Sequence, residues 1–148
     1  MLSAIDVTPE SGHESPIDLT ALQDVQLRKS YSQVSVKAFI RISEKWGLTI
    51  GERCAILGGL PKQTYYKWAK GSMGTLSRDQ LERIGVTLGI FKALKLLFRD
   101  EEGRMRWFKA ANQDYAFKGL SPVQRLTQGG MLDLYALRQY LDALRGGL

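Results

Sequence analysis

Residues 48–71 read LTIGERCAILGGLPKQTYYKWAKG, two short segments with helical spacing of apolar residues on either side of the doublet Gly58-Gly59. Thr49 can cap a first helix, whose apolar face reaches the two glycines and ends there. Pro61 suits the first turn of a second helix, because its missing N–H would have no helical partner at that position. Gly71 follows the second segment as a stop signal.

Two short helices joined by a glycine turn, the second rich in basic residues, predict a helix-turn-helix. Tyr65 and Trp68 lie three residues apart and can share an inward face with Thr64. The side chains that then project outward are Lys62, Gln63, Tyr66, Lys67 and Lys70. Their amide and ammonium groups could reach base edges and phosphates, so they are the candidate DNA-binding residues. An ordinary amphipathic helix with solvated lysines is the alternative.

The flanking sequence predicts an all-α fold. Ser35 can cap a helix that contains Trp46 and stops at Gly47, and Ser77 can cap a longer helix that reaches Phe98. No stretch shows the alternating pattern of a strand. The expected organisation is a flexible acidic leader over residues 1–30, a helix-turn-helix domain over 31–76 and a C-terminal domain over 77–148, with 77–98 as the linking helix.

Charge is distributed unevenly along the 148 residues, although the net charge is only +6. Residues 1–24 contain five acids and no base, residues 25–98 contain 13 bases and four acids, and residues 99–148 contain eight bases and six acids. The central excess of +9 would attract a polyanion, so nucleic acid is the first partner to consider. A solvated basic surface without a specific partner is the other interpretation.

Several classes of protein are disfavoured by composition. No apolar run approaches the roughly 20 residues that cross a bilayer, and the start lacks the pattern of a signal peptide, so we expect a cytoplasmic protein. A single cysteine, Cys54, and a single histidine, His13, leave too few ligands for a structural metal. No motif places a second group to activate either residue, and Gly58-Gly59 lacks the strand of a phosphate-binding loop. The sequence therefore predicts neither an enzyme nor a bound cofactor.

Beyond the helix-turn-helix, the chain continues with the runs LSRDQLERIGVTLGIFKALKLLF and RMRWFKAANQDYAFKGLSPVQRLTQGGMLDLYALRQYLDALRGGL. Residues 35–148 as a whole resemble the MbcA/ParS/Xre antitoxin family, in which an Xre-type helix-turn-helix precedes a toxin-binding domain. The matching positions of that domain are Trp107, Asn112, Gly119, Ser121, Pro122, Leu126, Gly129, Tyr140, Leu141 and Arg145. The resemblance implies an antitoxin that neutralises a RES-domain toxin, from a family of NAD-degrading enzymes, and represses their shared operon.

One helix-turn-helix buries too little surface for tight specific binding, so we expect a homodimer on promoter DNA, within a larger complex with the toxin. A stand-alone Xre-type regulator, whose C-terminal half only dimerises, is the alternative. A RES-domain gene beside this one would favour the antitoxin.

The last helix carries the candidate toxin-binding residues: Arg138, Leu141, Leu144, Arg145, Gly146, Gly147 and Leu148. Its leucines recur at spacings of three and four, which suits burial against the preceding helices or against a partner. Gly146-Gly147 end the helix and leave a short tail. Given the resemblance, the terminal carboxylate could meet the positive groups that bind the pyrophosphate of NAD in the toxin, while Arg145 pairs with an acid at the rim of the pocket. Plain fraying of the chain end is the alternative.

Overall fold

The computed structural model describes the backbone of residues 2–114 and 116–146, and the side chains within those ranges from residue 24 onward. These residues form seven α-helices and no strand, which confirms the all-α prediction. The helices are α1 (Leu2–Lys45), α2 (Ile50–Ile56), α3 (Lys62–Ala69), α4 (Arg78–Leu97), α5 (Glu101–Lys109), α6 (Pro122–Gln128) and α7 (Met131–Leu144).

Helix α1 passes through Ser35 without a break, so the prediction that Ser35 caps a helix is wrong. Ser35 is buried, and so is Ser32, whose hydroxyl donates to the Arg28 carbonyl at 2.7 Å and accepts from the Leu76 N–H at 3.1 Å. These serines lie on the packed face of the helix, where tertiary contacts decide the structure. The helical backbone from Leu2 also differs from the flexible leader that the sequence predicted, while the domain boundary at residue 30 stays a prediction.

The starts of the later helices follow local sequence signals. Thr49, Ser77 and Ser121 each accept a hydrogen bond from the backbone N–H three residues later, and the Glu or Gln at that position bonds back to the cap. Such reciprocal pairs satisfy two N–H groups that the first turn would otherwise leave without partners. The predicted caps at Thr49 and Ser77 are therefore confirmed, whereas Pro61 is the residue before α3 rather than its first helical residue.

Trp46 joins the first half of the chain to the second. It follows the last residue of α1, and Gly47 with its φ of +64° turns the chain away immediately afterwards. The indole ring is buried with its centroid 5.9 Å from the ring of Phe91 on α4 and 4.5 Å from that of Phe108 on α5. Helices α1, α4 and α5 thus share one hydrophobic core at this ring.

Helices α4 and α7 pack closely where α4 presents a glycine. A Cβ atom added at Gly89 would overlap the guanidinium group of Arg138 from α7, so the side chain of Arg138 lies across the bare backbone of α4. The core face of α7 consists of Leu134, Leu137 and Leu141, all of them buried. Burial on the preceding helices accounts for this part of the leucine stripe.

An aromatic cluster closes the C-terminal half. The ring of Trp107 on α5 lies 5.8 Å from Phe98, 5.9 Å from Phe117 and 6.4 Å from Tyr140, measured between centroids. Phe117 and Tyr140 meet edge to face at 4.9 Å, a favoured geometry for aromatic pairs. The cluster holds the segment between α5 and α6 against α7.

Because Trp46 is buried between two other aromatic rings, Trp46→Ala should remove roughly 3–5 kcal/mol of unfolding free energy. We expect the loss in unfolding of the whole chain, measured in urea by circular dichroism and by fluorescence of the remaining tryptophans. Tyr66→Ala, at a half-exposed aromatic ring on α3, is the control and should change stability by less than about 0.5 kcal/mol. A Trp46→Ala protein whose C-terminal half keeps its wild-type midpoint would contradict the shared core.

Candidate nucleic-acid and protein interfaces

Helix α3 separates its side chains into two faces, as the sequence predicted. Tyr65 and Trp68 are buried, and Thr64 lies between the two faces, partly exposed. All five candidate DNA-binding residues are exposed, namely Lys62, Gln63, Tyr66, Lys67 and Lys70. The outer face of α3 therefore presents three ammonium groups, one amide and one phenol to solvent.

Arg53 of α2 fixes the orientation of α3. Its Nη1 donates to the Tyr65 hydroxyl at 2.9 Å, and its Nε donates to the Leu48 carbonyl at 3.0 Å. The guanidinium carbon also lies 6.0 Å from the centroid of the Tyr65 ring, within the range of a cation–π contact. One partly buried side chain thus ties the second helix of the motif to the first and to the loop before it.

The turn between α2 and α3 depends on a contact from α4. Gly58 and Gly59 have φ values of +88° and +86°, a region that is strained for residues with a side chain. Arg83 of α4 lies against Gly58 and donates from Nη1 to the Ile56 carbonyl at 3.3 Å, while its Nε donates to Asp79 at 2.9 Å. Arg83 thereby links the turn to the long helix that follows it.

The candidate toxin-binding residues do not all lie at the surface. Leu141 is fully buried, so in this structure it packs the core of α7 rather than facing a partner. Leu144, Arg145 and Gly146 are exposed at the end of α7, and Gly146 has a φ of +102° that ends the helix. Gly147 and Leu148 lie outside the described residues. Of these candidates, Arg138 is partly exposed, and those after the buried Leu141 are available for direct contact from Leu144 onward.

Arg138 of α7 and Arg145, which directly follows the helix, share one acidic partner on α7, Asp142. Arg138 has its Nε 3.3 Å from Asp142, and Arg145 has its Nη1 3.3 Å from the same carboxylate. Arg138 also covers Gly89, so part of its surface belongs to the contact with α4. An acidic partner of Arg145 would have to compete with Asp142, whose hydrogen bond is partly exposed and therefore weak.

Arg125 and Asp133 connect α6 to α7. Arg125 Nε donates to Asp133 Oδ1 at 2.9 Å, and the Gly130 N–H donates to the other carboxylate oxygen at 2.9 Å. These hydrogen bonds, first of all the one from Arg125, hold the pKa of Asp133 below its usual value. A Cβ at Gly129 would overlap this carboxylate, so the absence of a side chain there makes room for the pair.

Tyr140 ties the loop before α6 to the last helix. Its hydroxyl donates to the carboxylate of Asp114, and this hydrogen bond, together with burial, raises the pKa of Tyr140 to about 12.

The described residues offer little for catalysis by a thiol, for metal binding or for crossing a membrane. Burial raises the pKa of the Cys54 thiol, so less of it is present as the reactive thiolate. Across residues 24–114 and 116–146, no cluster of acidic, histidine and cysteine side chains is suited to hold a metal ion. None of the described helices is both long and apolar enough to span a bilayer.

Sequence reasoning missed the side chains that position these surfaces. Arg53, Arg83 and Arg125 counted only as bases, although each makes a specific contact with a residue outside its own turn of helix. Local spacing contains no signal for such contacts. The close approach of Arg83 to Gly58 and of Asp133 to Gly129 appears only in the folded chain.

Two family comparisons cover most of the chain. Residues 32–85 match the antitoxin Xre-like helix-turn-helix domain, and residues 93–147 match the antitoxin Xre/MbcA/ParS C-terminal toxin-binding domain. A protein of Sinorhizobium fredii (strain NBRC 101917 / NGR234), named uncharacterized protein y4oB, is 41% identical over 112 residues, which are 76% of this chain and 84% of that protein. The first match contains α2 and α3, and the second contains α5, α6 and α7.

The lowered pKa of Asp133 leads to a dependence of stability on pH. The ionised carboxylate stabilises the fold above its unfolded pKa, about 3.9, and this contribution disappears as the pH falls through the lower folded pKa. Asp133→Asn should therefore cost about 1 kcal/mol at pH 7, and the difference from wild type should shrink below about pH 4. Urea unfolding between pH 2.5 and 7 measures it. Glu44→Gln, at an exposed position of α1, is the control, and a constant deficit for Asp133→Asn at all pH values would contradict the assignment.

Proposed function

The chain belongs to the Xre/MbcA/ParS family of antitoxins, and from that premise we propose that it neutralises a RES-domain, NAD-degrading toxin and represses the operon that encodes both proteins. It acts by binding and not by catalysis. The observation that carries the proposal is the presence, in one chain, of an exposed basic helix in a helix-turn-helix and of a toxin-binding domain whose last helix ends in exposed residues.

Neutralisation is assigned to the end of α7. The buried leucines up to Leu141 anchor the helix, so the residues after it extend from a fixed base. A short glycine-containing segment that extends from a fixed helix suits a narrow pocket such as the NAD-binding pocket of the proposed toxin. Inserted there, the segment would exclude the dinucleotide by its volume, and Arg145 would pair with an acidic group at the rim of the pocket.

Repression is assigned to α3. The ammonium groups of Lys67 and Lys70 would contact phosphates, and the amide of Gln63 would read a base edge in the major groove. Tyr65 and Trp68 hold the helix from behind, and Arg53 sets its orientation. A homodimer would place two such helices on the halves of an inverted repeat.

Removal of residues 145–148 should leave the fold intact, because Arg145 and Gly146 are exposed and contribute no core residue. We expect the truncated chain to stay bound to the toxin while the complex regains NAD consumption, measured with purified complexes. A chain that lacks residues 1–4 instead is the matched control and should inhibit fully. Full inhibition by the C-terminally truncated chain, while it is still bound, would show that the body of the domain blocks the toxin.

On DNA, Lys67→Ala and Lys70→Ala should each weaken binding to promoter and random duplexes alike, and each should lower the slope of log affinity against log salt by about one. Gln63→Ala should lose roughly 1–3 kcal/mol of discrimination at one base pair. Lys92→Ala, at an exposed position of α4, is the control and should leave the slope unchanged. Equal wild-type affinity for promoter and random duplex at one salt concentration would rule out specific repression.

A further inference from the structure

A stripe of apolar side chains on α1 has no partner among the described residues. Leu27, Tyr31 and Val34 are 68%, 60% and 65% exposed. Their spacing of four and three places them on one face of the helix. Single exposed apolar residues are ordinary, but a contiguous row of them marks an interaction surface.

A groove runs beside this stripe, between α1, α4 and α7. Its apolar floor includes Leu81, Gly85 and Val86 of α4, and Tyr31 belongs to both the groove and the stripe. The lining also carries charge: it includes three arginines and only one acid, Glu82. The arginines are Arg28, Arg78 and Arg138. Exposed tyrosine and arginine around an apolar floor are the residue types that dominate binding energy at protein interfaces. The basic rim selects an acidic partner.

The chain itself contains a segment with the required charge. Residues 1–24 carry five acids, no base and several apolar residues. Apart from Asp24, which lies one turn before Arg28, the acids of this segment cannot reach the groove of their own chain, because α1 is one continuous helix. Along its axis, Asp18 lies about 15 Å and Glu10 about 27 Å from Arg28. The segment can reach the groove of a second copy.

We propose that two copies pair through antiparallel α1 helices, with the acidic first half of each α1 on the stripe and the basic groove of the other. Residues 25–45 carry five bases and one acid, so a parallel pair would put like charges together and an antiparallel pair puts opposite charges together. The contact is self-complementary and closes as a two-fold dimer. It builds on the dimer of the proposed function and names the surface that forms it.

The test reverses charge on each side of the contact in the full-length chain. One variant carries Arg28→Glu and Arg78→Glu, and the other carries Glu14→Lys and Asp18→Lys, two acids that lie too far from Arg28 of their own chain to contact it. Sedimentation equilibrium without toxin or DNA should show a wild-type dimer and at least a tenfold weaker dimer for each variant alone. An equimolar mixture of the two variants should recover the dimer as a one-to-one pair, because both contacts in the mixed pair then join opposite charges.

The control carries Arg99→Glu and Arg106→Glu at exposed positions away from the groove. It changes the net charge by the same amount as the variant with Arg28→Glu and Arg78→Glu, and it should leave the dimer unchanged. Thermal melts by circular dichroism confirm that every variant is folded. A monomeric wild type, a mixture that stays monomeric, or a control that dissociates equally would each overturn the inference. The measurement involves neither NAD nor DNA, so a dimer that recovers in the mixture stands even if toxin inhibition or promoter binding fails.

Discussion

The packing of Trp46 between Phe91 and Phe108 is the contact on which the rest of the structure depends. These rings come from the end of α1 and from α4 and α5, so a single buried indole lies where the helix-turn-helix meets the C-terminal domain. Aromatic side chains bury more apolar area than any others, and offset or tilted rings add a directional preference. The two parts therefore share one hydrophobic core and are not independent domains joined by a flexible linker.

Helix α4 contacts both candidate interfaces, the helix-turn-helix and the last helix. Toward the N-terminal side, Arg83 reaches the turn of the helix-turn-helix and bonds the Ile56 carbonyl. Toward the C-terminal side, Gly89 receives Arg138 and lets α7 approach closely. The turn before α3 and the helix α7 are thus both positioned by contacts with α4, through the side chain of Arg83 and the bare backbone of Gly89.

Local signals made much of this fold predictable. The caps at Thr49, Ser77 and Ser121 depend on residues three apart in sequence, and the faces of α3 follow from the spacing of Tyr65 and Trp68. The long α1 was not predictable, because Ser35 has the same sequence signature in a cap as on a buried face. Leu141 could not be told from a surface leucine for a related reason: periodicity identifies an apolar stripe without saying which partner covers it. Contacts between distant residues decide both cases.

Helix α4 is unbroken over 20 residues and runs from inside the first matched region into the second, and this continuity has a mechanical consequence. A flexible linker would let a bound protein sample many positions relative to DNA, whereas a packed helix transmits orientation as a rigid lever does. Any protein bound at the end of α7 would therefore hold a set angle to the DNA groove that α3 is proposed to enter. The distance between neighbouring binding sites on DNA would then depend on the dimensions of that bound protein. The spacing of the sites within an operator would therefore report the size of the whole assembly.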